Sequence, residues 1–271
     1  MTYRLSVSNI AWPSEARESI YALLKDRGVT GIEVALTKIA AWDMLTDDVL
    51  ARERCVLDSF GLAVSSYQAL YFGRPELQLL GTDEEFGLLL QHTVRVAQAA
   101  QRLSDGGVGV FGAPRNRRRG VMSEADAFSL GQQRFGALAE AVAPFGFSLA
   151  LEPAPAPYGG DFLETSAVCT AMVRAVAHPA FRLQIDTGCL ALTGEDAAGV
   201  VTENADIIGH VHLSRPHLSP IETGAGLHGL LLGLARADYA GWVAVEMRET
   251  VDPTDAVERA ITAVLSAREQ G

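Results

Sequence analysis

The sequence predicts a (β/α)8 barrel, and three observations predict it. Short β-prone runs alternate with longer amphipathic runs along the whole chain. Eight such units follow one another with none left over, which favours closure over an open doubly wound sheet. The 271 residues, 48% of them hydrophobic, suffice for one large core, so residues 1–271 are read as a single domain.

The strands are expected at Arg4–Ile10, Gly31–Leu36, Ala63–Ala69, Gly107–Gly112, Ser148–Glu152, Arg182–Asp186, Gly209–Leu213 and Trp242–Met247. All eight are short, β-prone runs. The first helix spans Ser14 to Arg27, with Ser14 as N-cap, Glu15 at the positive end of the dipole, a stripe of Ile20, Leu23 and Leu24, and Gly28 closing it. The same reading places helices at Asp47–Phe60, Asp83–Leu103, Glu124–Phe145, Ser166–Ala177, Ala197–Asn204, Gly229–Asp238 and Pro253–Arg268. Gly61, Gly146 and Gly241 sit where helices hand over to strands.

Charge narrows the partners. Acidic residues number 33 against 22 basic ones, a formal charge of −11, and the summed field repels nucleic acid and anionic membrane surfaces. A small sugar, neutral or held as a locally clamped anion, suits the chain better. Cys55, Cys169 and Cys189 are far apart, odd in number and without C-x-x-C spacing, so neither a disulfide framework nor a structural zinc site is indicated. No secretory signal pattern and no run of eighteen apolar residues is present, so a soluble, cytoplasmic protein is expected.

Strand ends of such a barrel converge on its C-terminal face, where chemistry is placed. The fifth strand ends Ala150-Leu151-Glu152 and the sixth Gln184-Ile185-Asp186. The seventh contains His210-Val211-His212 and the eighth ends Ala244-Val245-Glu246. Three anionic carboxylates on one rim repel one another, and a divalent ion compensates them most strongly. Oxygen-rich ligation with one imidazole puts Mn2+ first, beside Mg2+ and Co2+, with catalytic Zn2+ or Fe2+ left open. The competing reading is that each acid caps a helix or pairs with an arginine. The repetition on four successive strands weighs against it. His210, two positions before His212, belongs a layer deeper on the same face, as a core histidine or a partner of the ligands.

At Leu151-Glu152-Pro153, Ile185-Asp186-Thr187-Gly188, His210-Val211-His212-Leu213-Ser214 and Val245-Glu246-Met247 the sequence resembles the xylose isomerase-like barrel superfamily, in particular its ketose 3-epimerase branch. Gly31-Ile32-Glu33 and Phe111-Gly112-Ala113-Pro114 are weaker matches. The resemblance spans nearly the whole chain. It implies that Glu152 and Glu246 bind the ion and act as an acid/base pair, one removing a proton beside a carbonyl and the other returning it. It also implies a homo-oligomer, dimer or tetramer. The pattern departs from the family at Cys189, where many members carry histidine. It departs again at Pro153-Ala154-Pro155-Ala156-Pro157-Tyr158 and Leu213-Ser214-Arg215-Pro216, where expected acids are missing. An unusual substrate is expected.

Candidates for substrate contact are Glu33 and Gln68 on the second and third strands, Arg115 and Asn116 in the arginine-rich loop after the fourth, and His217 after the seventh. An arginine loop there can clamp phosphate or a sugar carboxylate, against the alternative of a solvated basic loop. Arg118 and Arg119 read as outer charges. Trp12 and Tyr71 offer flat faces for a ring, although core packing explains them as readily. Gly224-Ala225-Gly226 allows a lid to bend, and Cys189 reads as a packed thiol rather than a nucleophile.

The function expected is therefore a metal-dependent sugar isomerase or epimerase. The nearest alternative is a lyase or dehydratase using the same metal and base. An abasic-site endonuclease and a non-catalytic sugar-binding barrel rank below both.

Overall fold

Eight parallel strands, hydrogen-bonded in chain order, close into a barrel when the last pairs with the first, as seen in a computed structural model that describes residues 3–224 and 226–269. The strands are β1 Arg4–Ser8, β2 Gly31–Ala35, β3 Ala63–Gln68, β4 Gly107–Phe111, β5 Phe147–Leu151, β6 Phe181–Asp186, β7 Ile208–Leu213 and β8 Trp242–Val245. Each lies within two residues of the bounds the β-prone runs predict. The helices are α1 Arg17–Asp26, α2 Asp47–Phe60, α3 Asp83–Ser104, α4 Glu124–Val142, α5 Ser166–Val176, α6 Thr187–Thr193, α7 Ala197–Asn204, α8 His228–Arg236 and α9 Pro253–Glu269.

Two helix details differ from expectation. Ser14 makes no cap bond; its hydroxyl donates to the Lys38 carbonyl at 3.0 Å, and a turn of 3-10 helix at Ser14–Ala16 precedes α1. The helix α6 was not foreseen. It begins directly at the end of β6, with Asp186 as its N-cap, so no polar loop separates strand from helix and no gap in the pattern marks it.

Strand alternation divides the molecule into two environments. Val7, Ile32, Val34, Leu149, Leu151, Leu183, Ile185, Val211, Leu213, Val243 and Val245 are buried in the apolar layer with helix residues such as Leu24, Val96, Phe135, Leu138, Met172, Leu234 and Ile261. The intervening positions face the barrel axis and are polar toward its C-terminal end: Ser6, Ser8, Glu33, Ser66, Gln68, Gln184, Asp186, His210 and His212, all buried. Among the described residues no helix is long and apolar enough to cross a membrane. In the expected lid hinge, Ala225 lies outside the described residues.

Candidate functional site

The four residues selected by their strand-end positions meet. Glu152 follows β5, Asp186 ends β6, His212 is next to last in β7 and Glu246 follows β8, and one donor atom of each lies within 4.8 Å of the others. Register creates part of this, because Asp186 pairs directly with His212. His212 Nδ1 is 3.3 Å from Glu152 Oε1, 3.2 Å from Glu246 Oε2 and 3.9 Å from Asp186 Oδ2. Neither His212 Nδ1 nor Glu152 Oε1 makes a hydrogen bond among the described residues.

A second group, Glu33, His210 and His212, is also close enough to share an ion. It is already satisfied by hydrogen bonds. Glu33 Oε2 meets His212 Nε2 at 2.7 Å, His210 Nε2 at 3.2 Å and the Ser66 hydroxyl at 2.8 Å, while the Gln68 amide donates to Oε1 at 2.7 Å. This carboxylate is fully buried. Glu33 was expected at the sugar; it lies instead in the middle of β2, one layer beneath the rim, with both oxygens occupied. Its contact fixes the His212 ring so that Nε2 faces Glu33 and the Nδ1 lone pair faces the three upper carboxylates. A carboxylate behind a ligating imidazole is the usual support of a metal-binding histidine.

Electrostatics separate the two layers. Burial pushes the Glu152, Asp186 and Glu246 carboxyls above the ordinary carboxylate range; their mutual repulsion adds to the push and His212 opposes it. Burial also disfavours charge on Glu33, but His212 and His210 outweigh it and hold that carboxyl well below its ordinary value. For His212, burial disfavours the charged form, and Glu33 and Glu246 overcome it, raising the imidazole well above its usual range. The upper cluster therefore demands positive charge at Nδ1. A divalent ion meets that demand without a proton, and the hard oxygen donors with one nitrogen suit it.

Further contacts fix the ligands. Asp186 accepts from the Ser214 hydroxyl at 2.5 Å and from the Cys189 backbone N–H at 2.6 Å, so it caps α6 and faces the cluster at once. A side chain on Gly112 would run into Glu152 Oε2, so this glycine makes room for the carboxylate. Arg117, missed by sequence reasoning, is 1% exposed and donates to the Glu152 carbonyl at 2.6 Å. Burial lowers its pKa, and its Nε and Nη1 have no partner among the described residues. Only its place in the arginine run could have drawn attention to it. Tyr158, also missed, lies close enough to Asp186 and Glu246 to feel their charge. Burial pushes its phenol up to about 12, and the His217 backbone N–H donates to its oxygen at 2.8 Å.

The cluster opens into a cavity of about 650 Å3 bounded by the segments after β3 and β4, including Gln68, Tyr71, Phe72, Arg74, Pro114 and Arg115, with Glu152, His212 and Glu246 at its floor. Gln68 and Arg115, both expected at the substrate, border this cavity. Asn116 also borders the cavity, but its amide donates to the Arg74 and Leu77 carbonyls at 2.8 and 2.7 Å and braces that loop. His217 is exposed, packs edge-on to Tyr158 and borders a separate shallow groove with Arg215 and Glu222. Trp12 is buried against Tyr21 and belongs to the core. The Cys189 thiol, buried and pushed far up by burial and Asp186, donates to the Pro153 carbonyl at 3.5 Å, which suits packing rather than attack.

No curated protein matches the chain. Solved structures do. D-psicose 3-epimerase from Clostridium cellulolyticum H10, solved with D-tagatose, superposes with a TM-score of 0.81 at 12% identity, covering 98% of both chains. An L-ribulose 3-epimerase gives 0.81 at 16% identity, covering 99% of this chain and 95% of that one. A 3-keto-D-glucoside 4-epimerase from E. coli gives 0.74 at 20% identity over 98% of this chain and 99% of that one. These likenesses establish a shared fold. The family model for the xylose isomerase-like TIM barrel matches residues 21–267, and the chain belongs to that family.

Proposed function

We propose that this barrel is a metal-dependent isomerase or epimerase that moves a proton at the carbon beside the carbonyl of a keto sugar or a derivative of one. The observation that carries the reading is the unpartnered His212 Nδ1 facing Glu152 Oε1 and Glu246 Oε2 at 3.3 and 3.2 Å, with Asp186 beside them. Glu152, Asp186, His212 and Glu246 would hold the ion, Mn2+ by first preference. When bound, the ion supplies Lewis-acid polarisation of the substrate carbonyl.

The chain's own groups do the rest. Glu152 and Glu246 stand on the tips of β5 and β8, flanking the ligands of β6 and β7, so a sugar laid between them meets a carboxylate on either side. One removes the proton from carbon and the other returns it. Burial disfavours charge on both carboxyls and a bound ion would favour it, two opposed pulls that would leave each able to accept and return a proton. Arg115 and the side-chain carbonyl of Gln68, whose amide is taken up by Ser8 and Glu33, border the cavity and are assigned to substrate contact. The similar structures add support: a 3-epimerase of a ketose and a 4-epimerase of a 3-keto sugar both name inversion at a carbon adjacent to a carbonyl.

Turnover of ketoses by the Mn2+-loaded protein in D2O tests the proposal. Solvent deuterium at a single carbon of an otherwise intact product is expected, and Glu152→Gln and Glu246→Gln each lower the rate by about 10²- to 10⁴-fold. Loss of water from the product would replace the isomerase with a lyase. Sugar binding without turnover in the loaded protein would leave a binding barrel.

A further inference from the structure

We infer that the substrate carries an oxyanion, phosphate or carboxylate, at the end remote from its reacting carbonyl, and that Arg115 binds it. This inference rests on the proposed function and names the class of sugar that the same cavity takes.

The arginine-rich loop after β4 divides its charges by role. Arg117 is buried behind β5 on the Glu152 carbonyl. The Arg119 backbone N–H donates to Asp161 Oδ1 at 2.8 Å, and its guanidinium donates to the Asp161 and Met122 carbonyls at 3.2 and 2.8 Å. Asn116 ties the loop to the segment after β3. The loop is thus braced on both sides. Arg115 is exposed, borders the cavity and has a guanidinium with no hydrogen bond or ion pair among the described residues. Arg74, the other cation of that wall, is held by Glu76 and His92.

An unpaired arginine on the wall of an active-site cavity is notable in a chain whose acids outnumber its bases 33 to 22. The backbone supports a built wall. Ala69 and Ala113, neither a glycine, both border the cavity with φ of 54° and 31°, and such left-handed backbone persists where the surroundings impose it, often at functional sites. Phe72, 68% exposed, lies on the same wall.

Charge sets the orientation. Three carboxylates with one divalent ion, and the ionised Glu33 beneath, leave the floor net negative, so the carbonyl and hydroxyl end of the sugar lies there and the anionic end lies toward Arg115, whose planar donors match two oxygens of phosphate or carboxylate. A volume of about 650 Å3 leaves room beyond a single hexose, within the roughly 300–1,000 Å3 of cavities that enclose larger ligands.

The test uses the Mn2+-loaded protein with D-fructose, D-fructose 6-phosphate and 5-keto-D-gluconate, and reads binding from the rise in unfolding midpoint alongside turnover. The phosphate or the carboxylate sugar is expected to bind more tightly than D-fructose. Arg115→Gln should lose about 10- to 100-fold of that affinity and with it the preference for the anionic sugar over D-fructose, whereas Arg118→Gln, an exposed change in the same loop, should keep both. Preference for phosphate over carboxylate, or the reverse, identifies the oxyanion. Equal binding of neutral and anionic sugars, or full anion affinity in Arg115→Gln, would overturn the inference. Anion binding through Arg115 without any turnover would instead count against the isomerase while leaving this assignment standing.

Discussion

Glu33 governs which nitrogen of His212 faces the ligand cluster. Its charge is maintained by two histidines, a serine and a glutamine, and removing that charge loosens the imidazole and lowers its basicity. Glu33→Gln is expected to weaken Mn2+ affinity about 10- to 100-fold without altering near-ultraviolet circular dichroism; unchanged affinity in isothermal titration would remove Glu33 from this role. A pH dependence follows from the same residues. Protons compete for every ligand, because burial has raised the three upper carboxyls and Glu33 and Glu246 have raised His212. Ion binding must release protons, so affinity should climb between pH 6 and pH 8 and the measured heat should depend on the buffer's ionisation enthalpy. A flat affinity over that interval would show that the ligands are already deprotonated.

Elements place these residues, and they were legible to different degrees. Strand bounds could be read because each strand is a short β-prone run, and the apolar runs of β5 to β8 closed by a polar residue at or just after the strand pointed to Glu152, Asp186, His212 and Glu246. Depth along the strand was read for His210, placed a layer below His212, but not for Glu33, which occupies the middle of Gly31-Ile32-Glu33-Val34-Ala35 and is its partner in the lower layer. Counting from the rim could have paired them. Loop residues had no such signal: Arg117 turns inward and Arg115 outward through a 3-10 turn at Pro114–Asn116 that no periodicity announces. At the end of β4, Gly112→Ala should push the Glu152 carboxylate aside and reduce turnover by at least about tenfold with little change in unfolding midpoint, since the clash falls on a side-chain tip. Wild-type rates in that variant would mean Glu152 has room to shift harmlessly.

For the whole molecule, the three upper acids concentrate repulsion on one face of an already acidic protein. An ion that binds only the folded chain offsets that repulsion. At a hundredfold excess over its dissociation constant it should add about 2.7 kcal/mol, a rise of roughly 5–10 °C in the unfolding midpoint for a domain of this size. Calorimetry with and without chelator measures it, and coincident transitions would argue against a specific ion site.

The support of His212 reaches it from the opposite half of the ring: the ligands are contributed by residues 152 to 246, yet the residue beneath the imidazole sits at position 33. A growing polypeptide therefore makes the brace long before the groups it serves, and the two come together only when the last stave docks on the first. Tight ion capture becomes a late event that reports completed circularisation. A C-terminal half-molecule supplied with every donor atom should hold manganese only loosely until the N-terminal half is added back.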